Sequence, residues 1–130
     1  MKSAAFFCAL AAVAAGSSLS TQAQGIADPG ERAFSYCYSC HSVDPNETAE
    51  LQGPNLIAIL GRPVASVSGF EYSPALRAFA AGGKVWTAEL LGQWIENPES
   101  LVPGTEMQKP IGPRTSEERR LLIEYLARQH

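Results

Sequence analysis

The sequence predicts a small all-α domain, and three observations predict it. Helix-capping signals recur along the chain. No run of alternating β-branched residues is long enough to read as a strand. Gly/Pro-rich stretches, Gly53-Pro54-Asn55 and Pro103-Gly104, fall between the helical segments and read as loops. The first helix starts at Asp28, a capping residue with Pro29 at the first helical position and Glu31 three residues on, as in a capping box. It presents Ala33, Phe34 and Cys37 on one face and is expected to run straight into the Cys37–His41 segment. Ser73-Pro74 opens a second helix and Gly82-Gly83 closes it. Thr87 caps a third, which presents Leu90, Leu91, Trp94 and Ile95. Asn97-Pro98 ends it, because the residue before a proline avoids the α region. Thr115-x-x-Glu118 is a capping box for the last helix, where Leu122, Tyr125 and Leu126 share a face.

Cys37-Tyr38-Ser39-Cys40-His41 carries the chemistry. A C-x-x-C-H run reads as covalent attachment of a c-type haem. The two thiols add across the porphyrin vinyl groups, and the adjacent histidine ligates iron from one face. The rest of the inventory agrees by exclusion. Beyond Cys8 near the N-terminus, Cys37 and Cys40 are the only cysteines, and His41 is the only histidine besides His130. Met107 is the only methionine after the initiator. A His/Met axial pair belongs to electron-transfer haem proteins and raises the reduction potential. The soft thioether suits low-spin iron and favours the ferrous state. Competing chemistries fit worse. Zinc wants four ligands, and a redox dithiol expects a βαβ context that is not readable here. A disulfide across C-x-x-C closes a tiny loop, stabilises little, and leaves His41 without a purpose. His130 sits at a fraying terminus and reads as solvated.

Residues 1–23 read as a secretory signal peptide, with 24–130 as the mature domain. Lys2 is the only charge there, and the apolar run Ala4–Ala15 is too short to span a bilayer core of ~30 Å. Thr21-Gln22-Ala23 offers small residues before a cut, which places cleavage after Ala23, with Gln24 the neighbouring choice. The alternative is an uncleaved anchor. Cys8 lies inside the apolar run, so lipidation there is not expected. An exported, bacterial periplasmic protein follows. Losing Lys2 with the leader takes the formal charge from −3 to −4. That argues against nucleic acid, which selects basic patches. A domain of this size buries only about two thirds of its unfolded surface, so a haem in the middle would complete the core.

With these residues in view, the chain resembles the class I cytochromes c, mitochondrial and bacterial, from about Gly30 to Ala127. Gly30-Glu31-x-x-Phe34-x-x-Cys37-x-x-Cys40-His41 is similar to that family's first helix and haem motif. Gly53-Pro54-Asn55-Leu56, Gly61-Arg62, Gly69-Phe70-x-Tyr72-Ser73, Trp86 and Glu96-Asn97-Pro98 follow in order. Pro103-Gly104-Thr105-x-Met107 and the closing helix Glu117–Leu126 complete it. The resemblance implies a small monohaem cytochrome c fold, with helices and loops wrapped around one covalent haem c. It implies thioethers at Cys37 and Cys40, a proximal His41 held by the Pro54 carbonyl, and a distal Met107. It places Arg62, Tyr72, Trp86 and Thr105 as hydrogen-bond donors to the haem propionates. Gly30 and Phe34 fall where the first helix crosses the last, against Leu122 and Tyr125.

The sequence departs from many relatives at three places. Trp94 stands where they carry a tyrosine near the methionine sulfur, and an indole donates but does not accept. Leu76 stands where they often carry an asparagine. Glu99 and Glu106 lie in the loop that carries haem-edge lysines in mitochondrial cytochrome c, and Tyr36 precedes Cys37. Docking without a lysine ring is therefore expected, with Tyr36 and Val102 supplying apolar contact, although Lys109 and Arg114 follow Met107. The function implied is a soluble electron carrier with no catalytic activity and no stable membrane insertion. It would pass single electrons from a quinol-oxidising complex or dehydrogenase to a terminal oxidase or reaction centre. The alternatives are the haem subunit of a periplasmic dehydrogenase, a haem enzyme or sensor with an open distal site, and a thiol–disulfide oxidoreductase.

Overall fold

The computed structural model describes residues 28–130. The expected leader, its cleavage point and Cys8 lie outside the described residues. Each anticipated helix start is a side-chain cap. Asp28 Oδ1 accepts from the Gly30 N–H at 2.7 Å and opens α1, Pro29–Phe34. Ser73 Oγ accepts from Leu76 N–H at 3.2 Å to open α2, Pro74–Ala80. Thr87 Oγ1 accepts from Leu90 N–H at 3.0 Å to open α3, Ala88–Glu96. A one-turn helix α4, Pro98–Leu101, follows directly. The last helix, α5, Ser116–Ala127, starts with a two-way capping box. Glu118 N–H donates to Thr115 Oγ1 at 3.1 Å, and Thr115 N–H donates to Glu118 Oε2 at 3.0 Å. These caps satisfy amides that would otherwise have no intrahelical partner.

Two elements differ from expectation. The first helix does not run into the haem motif: α1 stops at Phe34, and residues 35–40 continue as tight turns. Bonding there is mixed: Tyr36 N–H to Ala33 O, Cys37 N–H to Phe34 O and Cys40 N–H to Cys37 O span three residues, while Tyr38 N–H to Phe34 O and His41 N–H to Cys37 O span four, so the regular α ladder is broken. Cys37 still packs on the core. Secondly, Asn97-Pro98 is a start as well as a stop. Asn97 ends α3 in an extended conformation, and its side chain accepts from Ser100 N–H at 3.2 Å to cap α4. Proline at the first helical position costs no hydrogen bond.

The helices meet where anticipated. A Cβ on Gly30 would lie 2.4 Å from Leu121 O and 2.6 Å from Tyr125 Cβ, so α1 and α5 approach backbone to backbone. The Phe34 and Tyr125 rings stack at a tilt, 5.5 Å apart. Leu122 is fully buried behind them, worth roughly 1.5–3 kcal/mol. Tyr125, expected on the same face as Leu122 and Leu126, is only partly buried. Helix α3 lies on α5, tied by the Arg119–Glu96 ion pair at 3.1 Å. Among the described residues, β pairing is limited to an isolated Pro63–Val85 bridge. The fold is all-α, as predicted.

Candidate haem site

The site is assembled from loops that the helices hold in place. Gly53 N–H donates to Cys40 O at 2.8 Å and Leu56 N–H donates to Ser42 O at 2.8 Å, which lays the 53–56 loop along the motif. His41, buried beneath this loop, is held at Nδ1 by the Pro54 carbonyl, 2.8 Å away. A carbonyl only accepts, so Nδ1 carries the proton and Nε2 keeps its lone pair. Burial pushes the His41 pKa down, against the opposing effect of the Pro54 bond. The neutral imidazole is the form that ligates metal. Gly53 leaves the ring its space: a Cβ there would lie 2.2 Å from His41 Cε1.

Cys37 and Cys40 stand as free, partly buried thiols in place of the thioether sulfurs. Burial first, and the neighbouring Cys40 second, push the Cys37 pKa up to about 11. Nucleophilic and redox cysteines are shifted the other way. Among the described residues no group of three or more His, Cys, Asp or Glu side chains is placed to hold a metal ion. Neither the dithiol nor the zinc alternative gains support from this geometry.

Met107 is partly buried against the core, and its Sδ accepts a hydrogen bond from Trp94 Nε1–H at 2.9 Å. The departure from tyrosine at position 94 therefore keeps a donor on the methionine sulfur. Trp94 is set by α3 and by Trp86, whose ring meets it edge-on at 5.5 Å and 61°.

Of the four residues expected to donate to propionates, Trp86 is joined to the Arg62 segment through the main chain: the Trp86 backbone N–H donates to Arg62 O at 2.9 Å, and Gly61 N–H donates to Trp86 O at 2.8 Å. Tyr72 lies within electrostatic reach of Arg62. The Arg62 guanidinium donates to Ile57 O at 3.0 Å and Asn55 O at 2.9 Å. Burial lowers its pKa, and nearby Tyr72 offsets part of that. Among the described residues no carboxylate forms an ion pair with this half-buried cation. A propionate would supply that partner, and the guanidinium keeps further N–H groups for it. Tyr72 Oη accepts from Val67 N–H at 3.1 Å, which leaves its own hydrogen to donate. Thr105 belongs to the Met107 loop instead, with its N–H on Val102 O at 3.1 Å.

One expectation about the surface is corrected. Val102 is 4% exposed and belongs to the core, so it supplies no docking contact. It ends α4, with its N–H on Pro98 O at 2.8 Å, and that turn rolls the side chain inward. Tyr36 is half exposed, and Ile111, 79% exposed, was not anticipated. A Cβ on Gly112 would sit 2.7 Å from the Tyr36 ring, so Tyr36 and Ile111 belong to one surface. In the sequence Gly53 reads only as a loop residue; its position twelve residues after the motif gives no sign that its missing side chain makes room for the imidazole.

Capped helices around a Cys/Cys/His motif, a tautomer-fixed imidazole and a donor-held methionine define a small haem-bearing electron carrier. Known proteins say the same. No family model matches the chain. Cytochrome c-550 of Ancylobacter novellus is 41% identical over 78 residues, covering 60% of this chain and 72% of that one. Cytochrome c2 of Rhodomicrobium vannielii is 34% identical over 113 residues, covering 85% and 86%. The X-ray structure of ferric cytochrome c-550 from Paracoccus versutus matches with a TM-score of 0.62 at 27% identity, over 77% of this chain and 93% of that one. The chain belongs to the class I c-type cytochromes. It is an electron-transfer protein with one covalent haem c, and Cys37 and Cys40 stand in place for the attachment motif. It acts with redox partners. No described helix is long and apolar enough to cross a membrane.

Proposed function

We propose that this chain shuttles single electrons on a haem held by Cys37 and Cys40, with His41 Nε2 and Met107 Sδ as axial ligands. The observation that carries the reading is the His41–Pro54 bond, which points the free lone pair of a buried neutral imidazole away from the protein carbonyl. The haem supplies the one-electron couple. The residues do the rest. Cys37 and Cys40 anchor, His41 and Met107 hold the iron in both oxidation states, and Arg62, Tyr72, Trp86 and Thr105 hold the propionates. Fixed axial ligands keep geometric change between the states small. The chain carries electrons and performs no reaction of its own. Residues 1–23 are removed on export after Ala23, leaving 24–130 as a periplasmic domain. The donor is a quinol-oxidising complex or dehydrogenase, and the acceptor a terminal oxidase or reaction centre.

Absorption spectra of the oxidised and reduced holoprotein, with Met107→Ala beside the wild type, test the reading. The wild-type ferric form should show the weak near-infrared sulfur-to-iron band, and the variant should lose it and drop in potential. A variant that keeps both the band and the potential removes Met107 from the iron.

A further inference from the structure

We propose that Trp94 sets the handedness of the Met107 sulfur. This rests on the ligation proposed above. A thioether sulfur carries two lone pairs related by a mirror plane. Iron can take either, and the two choices give opposite configurations at sulfur. Methionine has a flexible, unbranched side chain, and the 102–115 segment around it contains no helix. The loop alone therefore does not select a lone pair. Trp94 does. Its Nε1–H reaches Met107 Sδ at 2.9 Å and occupies one of the two lone pairs, leaving the other for the metal.

The donor is unusually well fixed. Trp94 is 6% exposed and sits in α3, whose start Thr87 caps. Trp86, itself buried, meets its ring edge-on at 5.5 Å, which bars the indole from turning. An indole N–H donates and never accepts. A hydroxyl in its place would rotate and could point its hydrogen elsewhere; the indole has one direction only. The lock thus connects the mobile ligand to a rigid helix through a single one-way bond. The same bond draws electron density from sulfur, which favours the ferrous state.

Proton NMR of the ferric holoprotein tests this, because the order of the haem-methyl shifts reports the sulfur configuration. The wild type should show one wide, fixed pattern. Trp94→Phe should reverse the order or collapse it to an averaged, narrow spread. It should also lower the potential and bind exogenous imidazole roughly two- to tenfold more tightly, one hydrogen bond's worth. Trp94→Tyr, whose hydroxyl can donate to the same lone pair but also rotate away from it, should keep the wild-type order with a narrower spread. A wild-type measurement stands free of any folding defect: the Trp94 indole proton should be hyperfine-shifted and slow to exchange with solvent. Retention of the wild-type methyl order in Trp94→Phe overturns the proposal, as does a freely exchanging, unshifted indole proton in the wild type. Met107→Ala separates the two levels. If it abolishes the sulfur-to-iron band while Trp94→Phe changes nothing, ligation stands and the lock falls. If it leaves the band intact, the ligation reading itself falls.

Discussion

Replacing Gly53 with alanine should disable the proximal side more than its one added methyl suggests. The new Cβ would stand 2.2 Å from His41 Cε1, 2.5 Å from Nδ1 and 2.7 Å from Nε2. Those atoms belong to a buried ring, so they cannot move aside without cost. The ring is also tethered at Nδ1 to the Pro54 carbonyl, one residue from the new methyl. Relief of the clash therefore means breaking that bond or displacing the 53–56 loop from its two backbone bonds to Cys40 and Ser42. Overpacking of this kind costs about 1–3 kcal/mol, and the lost hydrogen bond about 0.5–1.5 kcal/mol more. In a domain near 100 residues that corresponds to a drop in Tm on the order of 10–20 °C. Thermal melts of the ferric holoprotein followed at the haem absorbance, together with its reduction potential, measure the effect. Gly92→Ala is the matched control. That glycine lies inside α3, and its nearest neighbour to a Cβ is Ile123 Cδ1 at 3.8 Å. Alanine there removes unfolded-state entropy and favours helix, so it should raise stability by roughly 0.5–1 kcal/mol. The two substitutions add the same methyl with opposite sign. Equal melting temperatures for Gly53→Ala and the wild type would refute the claim that Gly53 makes room for the imidazole.

Cys37→Ser with Cys40→Ser should abolish covalent haem and leave the chain largely unfolded, read by haem-stained denaturing gels and far-UV circular dichroism; a folded haem-free double mutant would sink the idea that haem completes the core. Trp86→Phe should lower both Tm and potential, since it removes the proposed propionate donor at a cost on the order of 1–3 kcal/mol and loosens Trp94; unchanged values would reduce Trp86 to packing. Glu118→Gln should blunt acid denaturation. The Thr115 and Arg114 backbone N–H groups hold the Glu118 carboxyl below its usual range, so its contribution is present above the unfolded value and lost as pH falls through the folded one. Urea melts from pH 3 to 7 read this, and identical acid limbs for variant and wild type would contradict it. Glu99→Lys with Glu106→Lys should speed reaction with an acidic electron acceptor at low salt, and the wild type should react faster as salt screens its repulsion over ~10 Å at 0.1 M. A wild-type rate that falls steeply with salt would instead assign the docking face to Lys109 and Arg114.

What was legible in the sequence was the chemistry that acts over three or four residues. Asp28, Ser73, Thr87 and Thr115 declare helix starts because a cap is a bond between a side chain and an amide two or three positions on. Cys37, Cys40 and His41 declare the cofactor because attachment needs them in one short run. What escaped was set by distant neighbours. The hydrophobicity of Val102 and Ile111 is alike, yet one is in the core and the other at the surface. Position 102 ends α4 and turns inward, whereas position 111 lies in the exposed stretch after Met107. Nothing local separates them. The stop of α1 at Phe34 was hidden for a related reason. The face pattern Ala33, Phe34, Cys37 fits an α-helix and a run of tight turns about equally well, and only the bonding partners decide. Gly53 looks like any loop glycine until the imidazole beside it is seen.

The two sides of the site are held by unequal means, and the inequality has a consequence. His41 is fixed by burial, by the Pro54 carbonyl, by the empty space at Gly53 and by two backbone bonds between its loop and the motif. All of these act on one ring. Met107 has one side-chain bond, from Trp94, and a loop clasped mainly where Glu99 accepts the Gly104 N–H at 3.1 Å. Regions with few such constraints open at lower free energy than the global unfolding transition. On the proposed ligation, heat, denaturant or a competing ligand therefore removes Met107 from the iron well before His41 lets go. The proximal bond, with the two thioethers, keeps the haem in the chain while the distal side opens. On that ligation, covalent attachment next to the proximal histidine, and not next to the methionine, lets a domain this small lose one axial ligand without losing its cofactor.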